Sequence, residues 1–401
     1  MPFSLRRSFA ISASLILAVA MSIVPSTATA GPTERDLAAT VRATVLEQHG
    51  DALKAQWGTP SLREPLFEPT RTAGPWVFGS TTIPMAYGQE HGAPLMALFL
   101  AHRDQLGWRV ELDGTAGFTE LATLAPTAVL SEGEKRTFAD NIAGQNRTLA
   151  DTGLGLPWPQ GVAWWMGGGP HGNSGNSRPF SSIDFNGGDG RVLSAGPGRV
   201  YKSCVRGRSA LVKVVHDNGY STTYYHMYDL TTQTDGSAVR VGTYLGHIGN
   251  ELPCGGSSSG AHVHFSLLRG NTHISVNGMT VGGWTFYEGS QAYGGYAQRG
   301  STRVSVGGRV TNYGAGTTLP AGTVDGGSNS SVTLRSGPGT SYDAVGTVGN
   351  GTVVTIACTA RGEAVDGVWG RTDLWNRLEN GNWISDGFLD TGSNEPVAPA
   401  C

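Results

Sequence analysis

Six residues, Gly260-Ala261-His262-Val263-His264-Phe265, put two imidazoles two positions apart. A glycine-serine run, 255–259, precedes them, and an apolar stretch, Phe265-Ser266-Leu267-Leu268, follows. That setting predicts a loop feeding a strand. Side chains alternate across a strand, so His262 and His264 face one way and Val263 and Phe265 the other. Two imidazoles on one face suit a small metal site, but histidine pairs also occur on ordinary strand faces. The rest of the chain must supply the other ligands. His171 follows Gly167-Gly168-Gly169-Pro170 and opens a polar loop, 171–179. Asp184 lies in Ser181-Ser182-Ile183-Asp184-Phe185. Zinc held by three protein ligands keeps a fourth position for water, and two nitrogens with one carboxylate suit it. The candidate ligands are therefore His171, Asp184 and one histidine of the pair. The water such a site acidifies can attack a peptide carbonyl. A proton carrier and an oxyanion donor are then needed, and His226 and the other histidine of the pair are available. The residues alone do not decide which of His262 and His264 is the ligand.

Two other hydrolytic chemistries are excluded or weak. No H-E-x-x-H occurs, so a helical zinc site with a glutamate base is excluded. Gly256-Ser257-Ser258-Ser259-Gly260 matches G-x-S-x-G formally, but a nucleophile elbow joins a strand to a helix, and this loop enters a strand.

The elements that must position these groups are read from spacing. The segment 181–185 predicts a strand with Ile183 and Phe185 toward a core and Asp184 on the opposite face. The β-prone runs 211–216 and 220–226 flank Asp217-Asn218-Gly219, which predicts a hairpin with a type I′ turn. His226 ends its second arm. The segment 240–249 is another short strand with a tight turn. Hairpins rather than alternating strands and helices predict an antiparallel sheet. Upstream, Leu37, Val41, Val45 and Leu46 fall on one face of a helix expected over 33–53. Strands or a short buried helix are expected at 76–78 and 95–101, a strand at 108–112, a turn at Asp113-Gly114, and a helix over 131–150. His49, His91 and His102 have no ligand-like spacing. The C-terminal segment carries short alternating strands at 331–335, 344–348, 353–357 and 382–385, a small all-β module.

The whole chain sets the context. It has 401 residues with a formal net charge of −3 and 60 glycines. The length suggests two or three domains. Near-balanced charge argues against a nucleic-acid partner, and abundant glycine with few charges fits turn-rich β structure. Arg6 and Arg7, the apolar stretch 10–24 and Ala28-Thr29-Ala30 predict an export signal over 1–30, with paired arginines that also fit a twin-arginine signal. The rest of the chain has no long apolar run, so a secreted chain with no membrane segment after signal removal is expected. Four cysteines allow three pairings, and if domains fold as units the local one is 204–254 with 358–401.

Pro170-His171-Gly172-Asn173, Ser181 to Phe185, Tyr224-Tyr225-His226-Met227 and 256–268 occur in the order found in the LasA and β-lytic branch of the lysostaphin-type (LytM) zinc endopeptidases, which this chain resembles over 154–314. Leu156-Pro157-Trp158-Pro159-Gln160-Gly161 is similar to the segment near the mature start of those enzymes. The gap between His171 and Asp184 is that of this branch, whereas others place the aspartate four residues after the histidine. The resemblance implies zinc ligands His171, Asp184 and His264, catalytic histidines His226 and His262, and a Cys204–Cys254 bond. It leaves His216, His247 and His273 without a role. It also implies one zinc ion and bacterial peptidoglycan peptides as substrate, cut at glycine-containing bonds. Val332 to Tyr342 and Asn380 to Ser385 resemble the first and last strands of a bacterial SH3-like domain, a type of module that often binds cell-wall peptides. The expected fold is mainly β: an α+β pro-region (31–153), an antiparallel-sheet zinc peptidase domain (154–314), a linker (315–328) and an SH3-like barrel (329–401), as a monomer. Two rivals are a non-catalytic wall-binding or activator protein on a degenerate version of this fold, and a zinc peptidase of soluble glycine-rich proteins.

Overall fold

A period of two in the central strands decides which residues meet the core and which meet the site. The computed structural model describes residues 32–86, 94–145, 150–172, 175–314, 321–378, 380–391, 394, 396–398 and 400–401. The expected signal, residues 315–320 of the expected linker, His91 and residues 146–149 of the helix expected over 131–150 lie outside these. The described chain is mainly β, with three α-helices at Pro32–Trp57, Ala116–Leu124 and Glu132–Gly144. Among the described residues no helix is long and apolar enough to cross a membrane.

The largest sheet runs in spatial order Ala238–Val239, Gly198–Arg206, Ser209–Val215, Ser221–Tyr225, Val263–Arg269, Phe180–Asn186, Ala163–Gly172, Arg309–Thr311, with Thr272–His273 added beside Val263–Arg269. Its pairings are antiparallel. One face carries Ile183, Phe185, Val212, Val214, Tyr224, Val263, Phe265 and Leu267 into a core with Trp158, Trp164 and Phe286. Trp158 and Trp164 stack there at 4.9 Å. The alternate residues, among them Asp184, His264, Lys213 and Tyr225, project from the opposite face.

That opposite face is partly covered by residues 32–145. Four antiparallel strands, Leu66–Ala73, Trp76–Ile83, Leu95–Asp104 and Gly107–Leu112, form a sheet of their own. The helix Pro32–Trp57 packs Leu37, Val41, Val45 and Leu53 on one side of it. Leu46, expected on that stripe, is 36% exposed, and Leu53 closes the stripe two turns further on. The segment 95–101 is strand, not helix. Its other side, with Phe78, Met96, Leu98 and Leu100, joins the two shorter helices and Tyr201, Leu211, Val215, Tyr225 and Cys204–Cys254 in one core. Glu134 seals this junction. It completes a capping box with Ser131, receives Arg71 through two bonds of 2.7 and 2.6 Å, and accepts from the Tyr201 hydroxyl at 3.1 Å. Burial pushes its pKa up, but Arg71 and Ser131 outweigh burial and hold the carboxyl below its ordinary value.

The hairpin at Asp217-Asn218-Gly219 exists, with a different turn. Gly219 has φ 94° while Asn218 is not left-handed, and the His216 N–H bonds to the Tyr220 carbonyl. This is a three-residue loop with glycine at the left-handed position, not a two-residue type I′ turn. At the other end of the chain, Ala321–Val324, inside the expected linker, is a strand that pairs with Val353–Gly367 and Leu389–Asp390. It belongs to a seven-stranded sheet whose long hairpin, Val353–Gly367 with Gly370–Leu378, exceeds the short strand expected at 353–357. Cys358 and Cys401 are bonded there.

Candidate active site

His264 lies directly opposite Asp184 across the Val263–Arg269 and Phe180–Asn186 pairing, and Asp184 lies opposite Gly168 on its other side. Cross-strand neighbours on one face stand about 5 Å apart at Cβ, close enough for side chains to converge. The His264 Nδ1 to Asp184 Oδ1 distance is 3.1 Å, His171 Nε2 to His264 Nδ1 is 3.1 Å, and His171 Nε2 to Asp184 Oδ1 is 3.5 Å. His171 reaches them from the end of Ala163–Gly172, a strand whose register with its neighbour slips three times. Such bulges re-aim side chains. The glycine run before His171 is therefore part of a strand that lets the backbone pass close to the site, and the loop expected from His171 begins after Gly172. A Cβ on Gly168 would lie 2.7 Å from Asp184 Oδ2 and 2.9 Å from the Tyr293 ring.

The donor set fits a small cation. The candidate ligand atoms of His171, Asp184 and His264 all lie within 4.8 Å of one another. Adjacent ligands of a tetrahedral zinc site with bonds of ~2.0–2.1 Å stand ~3.3–3.4 Å apart, close to the separations above. His171 Nδ1 donates to the Gly169 carbonyl at 2.8 Å, which leaves Nε2 with a lone pair when the ring is neutral. Burial first, and the neighbouring His264 next, push the His171 pKa down to about 4 despite Asp184. Burial raises the Asp184 pKa, but His171 and the other two histidines outweigh it and hold the carboxyl well below its ordinary range. The ring stays neutral and the carboxylate charged at neutral pH, which are the forms that bind metal. His264 Nε2 is buried without a hydrogen-bond partner among the described residues.

Two more imidazoles share the cleft. His226 follows Ser221–Tyr225 with φ 66°, a left-handed conformation that costs a non-glycine residue about 1–3 kcal/mol. Its Nδ1 donates to the Glu251 carbonyl at 3.0 Å. Burial, then His262 and His264, push its pKa down to about 3. His262 Nδ1 donates to the Gly260 carbonyl at 2.7 Å, and its Nε2 lies 3.5 Å from Asp184 Oδ1. The His226 and His262 rings are 4.8 Å apart. The cleft, about 520 Å³, is lined by Asp184, His226, His262, His264, Ser257–Ser259, Gly167, Gly168 and Tyr293.

The five residues singled out from sequence thus come together. Tyr293 was missed, since nothing in its spacing marks it. It sits between the strands Trp284–Glu288 and Gly295–Arg299 with φ 63° and stacks on His171 at 4.1 Å. Burial and the charge of Asp184 push its hydroxyl pKa upward, so it remains a proton donor. The serine loop is pinned beside it: the Met85 N–H bonds to the Cys254 carbonyl at 3.0 Å, and the Gly256 N–H to the Ala86 carbonyl at 3.2 Å. His216 is elsewhere, buried between the Pro197 carbonyl and Thr222, and His247 lies against the Asp189 carbonyl.

A sheet-borne cluster of two histidines and an aspartate, with further histidines in one cleft, defines the class of site: a candidate metal centre built on strands. The sequence profile of Peptidase family M23 matches residues 178–276. Protease LasA of Pseudomonas aeruginosa is 35% identical over 151 residues, 34% of this chain and 34% of that protein, so the chain spans about a third of that relative's length. The beta-lytic metalloendopeptidase of Lysobacter enzymogenes is 32% identical over 151 residues, 35% of this chain and 82% of that protein. Among solved structures, the M23 metalloprotease pseudoalterin from the deep sea is 33% identical, covering 39% of this chain and 97% of its own, with a TM-score of 0.36. The chain belongs to peptidase family M23.

Proposed function

We propose that this protein is an exported zinc endopeptidase that hydrolyses the peptide cross-bridges of bacterial peptidoglycan at glycine-containing bonds. The observation that carries the reading is the convergence of His171, Asp184 and His264 in a cleft shared with His226 and His262. The three first residues would hold the zinc. Zinc bound there would supply Lewis acidity toward a peptide carbonyl and acidify water. His226 and His262 each have Nδ1 engaged by a backbone carbonyl, so Nε2 is the atom each offers the cleft. One takes the proton from the attacking water and returns it to the leaving amine, while the other donates to the oxygen that gains charge.

Other parts of the chain support the setting. The charged and apolar pattern of 1–30 is that of an export signal, and two disulfides fit an oxidising compartment. Residues 31–153 act as a pro-region, since 32–145 lie over the sheet face that carries Asp184 and His264. The C-terminal module would hold the enzyme at the wall and raise its effective concentration there.

The test is metal content by mass spectrometry together with mass analysis of fragments released from purified peptidoglycans of different cross-bridge composition. His171→Ala and Asp184→Ala should lose both metal and activity. His262→Ala should keep most of the metal and lose turnover. Purified wild-type protein without zinc would point to the wall-binding alternative instead.

A further inference from the structure

Next to the metal-ligand row, one pleat along the same sheet face, lies a second row in register: Ser182, Ser266, Thr223 and Lys213 on four successive strands. All four are buried. Lys213 stands in the middle of the sheet with its side chain 0% exposed, and its ammonium meets the carboxylate of Asp113, from the turn after Gly107–Leu112, at 2.5 Å. Its counter-ion thus comes from residues 32–145, outside the peptidase domain. Ser221 Oγ on the next strand, His273 Nε2 on Thr272–His273 and Asn271 Nδ2 in the turn before it are buried without a hydrogen-bond partner among the described residues. Ser221 is two residues along its strand from Thr223, and His273 pairs opposite Leu268. Lys213 is close enough for its charge to weigh on His273. One ammonium and three groups that can donate hydrogen bonds thus lie on adjoining strands and their turn at one end of the sheet.

We infer that Lys213, with Ser221, Asn271 and His273, is a substrate subsite for a peptide carboxylate, and that Asp113 occupies it in the uncut chain as a stand-in for that carboxylate. The inference rests on the peptidase reading above and on residues 31–153 being removed. Lys213 lies two strands from His264 and two residues along, which is about 12 Å between backbones at ~4.8 Å per strand and ~3.4 Å per residue. An extended peptide covers that in three to four residues, so the recognised carboxylate sits three or four residues from the scissile bond. The preferred substrate is therefore an acidic or free-ended peptide, beyond a requirement for glycine.

The experiment uses the full chain with a protease site inserted between Gln145 and Asp151, so that both halves fold before scission. The nicked protein is offered hexaglycine with a free C-terminal carboxylate and hexaglycine amide. The ratio of their kcat/KM values does not depend on what fraction of the N-terminal half has left. The wild type should prefer the carboxylate about tenfold, through KM. Lys213→Arg should keep the preference, and Lys213→Met should bring the ratio near one. A ratio near one in the wild type, or an undiminished ratio in Lys213→Met, overturns the inference and leaves the peptidase reading standing. If neither peptide is cut, the peptidase reading falls. Equilibrium binding of the same two peptides to the metal-stripped nicked chain then decides the subsite alone: a tenfold preference lost in Lys213→Met upholds it, and equal binding overturns it.

Discussion

The Lys213–Asp113 pair lets the cohesion of the two units be tested by a charge cycle. Both side chains are essentially inaccessible, at 0% and 1% exposure, so solvent screening does not discount the interaction. Asp113 Oδ1 also accepts the Leu98 N–H at 2.7 Å. Asp113→Asn keeps an oxygen for Leu98 and removes only the charge, leaving an unpaired ammonium in the junction. Breaking a buried pair from one side costs about 3–5 kcal/mol, so a loss near 3 kcal/mol is expected. Lys213→Met strands the carboxylate and should cost a similar amount. The double variant Lys213→Met/Asp113→Asn removes both charges and leaves two groups of similar volume with the Leu98 bond intact. It should lie within about 2 kcal/mol of the wild type, because neutral replacement of a buried pair is often close to neutral. Urea unfolding followed by tryptophan fluorescence reads all four proteins. A double variant that loses the sum of the singles, about 6 kcal/mol, would show that the two side chains do not depend on one another.

Three further outcomes are expected. Removing the Cys204–Cys254 bond, which spans a sequence separation of 50, should cost about 4 kcal/mol through chain entropy; an unfolding midpoint insensitive to Cys204→Ala/Cys254→Ala would contradict this. Gly168→Ala should displace Asp184, given the 2.7 Å approach of the added carbon, and lower bound zinc measured per folded molecule; undiminished zinc counts against the assigned cleft wall. Burial pushes the His216 pKa down to about 4 from an ordinary 6.5. The unfolded chain therefore takes up the proton first as pH falls, so this contribution is whole above pH 6.5 and lost progressively toward pH 4. At 1.36 kcal/mol per unit it amounts to about 3 kcal/mol. Because His226 and His273 shift in the same direction, the readout is the difference in slope between wild type and His216→Gln, and equal slopes would refute it.

What could be read in advance was what local spacing encodes. Alternation at 181–185 put Ile183 and Phe185 in the core and Asp184 on the other face, as found. The cysteine positions favoured the pairing that the structure contains. Spacing failed where a partner lies far along the chain. The Gly167-Gly168-Gly169 run carried no sign of a strand because its conformation is set by Asp184, Tyr293 and Gly294, which press against it. Leu46 looked like core because helical spacing does not say how wide a stripe the facing sheet will cover. The helix Ala116–Leu124 went unread, although Thr115 caps it. Nothing in the spacing of 211–216 singled out Lys213, and only the fold sets Asp113, one hundred positions upstream, against it.

The placement of residues 32–145 on the face that bears Asp184 and His264 has a kinetic consequence. A released N-terminal half and a substrate peptide contend for one surface, so the half added back in trans should raise KM and leave kcat unchanged. If the chain is exported and cut as proposed, onset of activity would follow dilution as well as scission: concentrated enzyme would stay restrained by the released fragment and become active as the two diffuse apart.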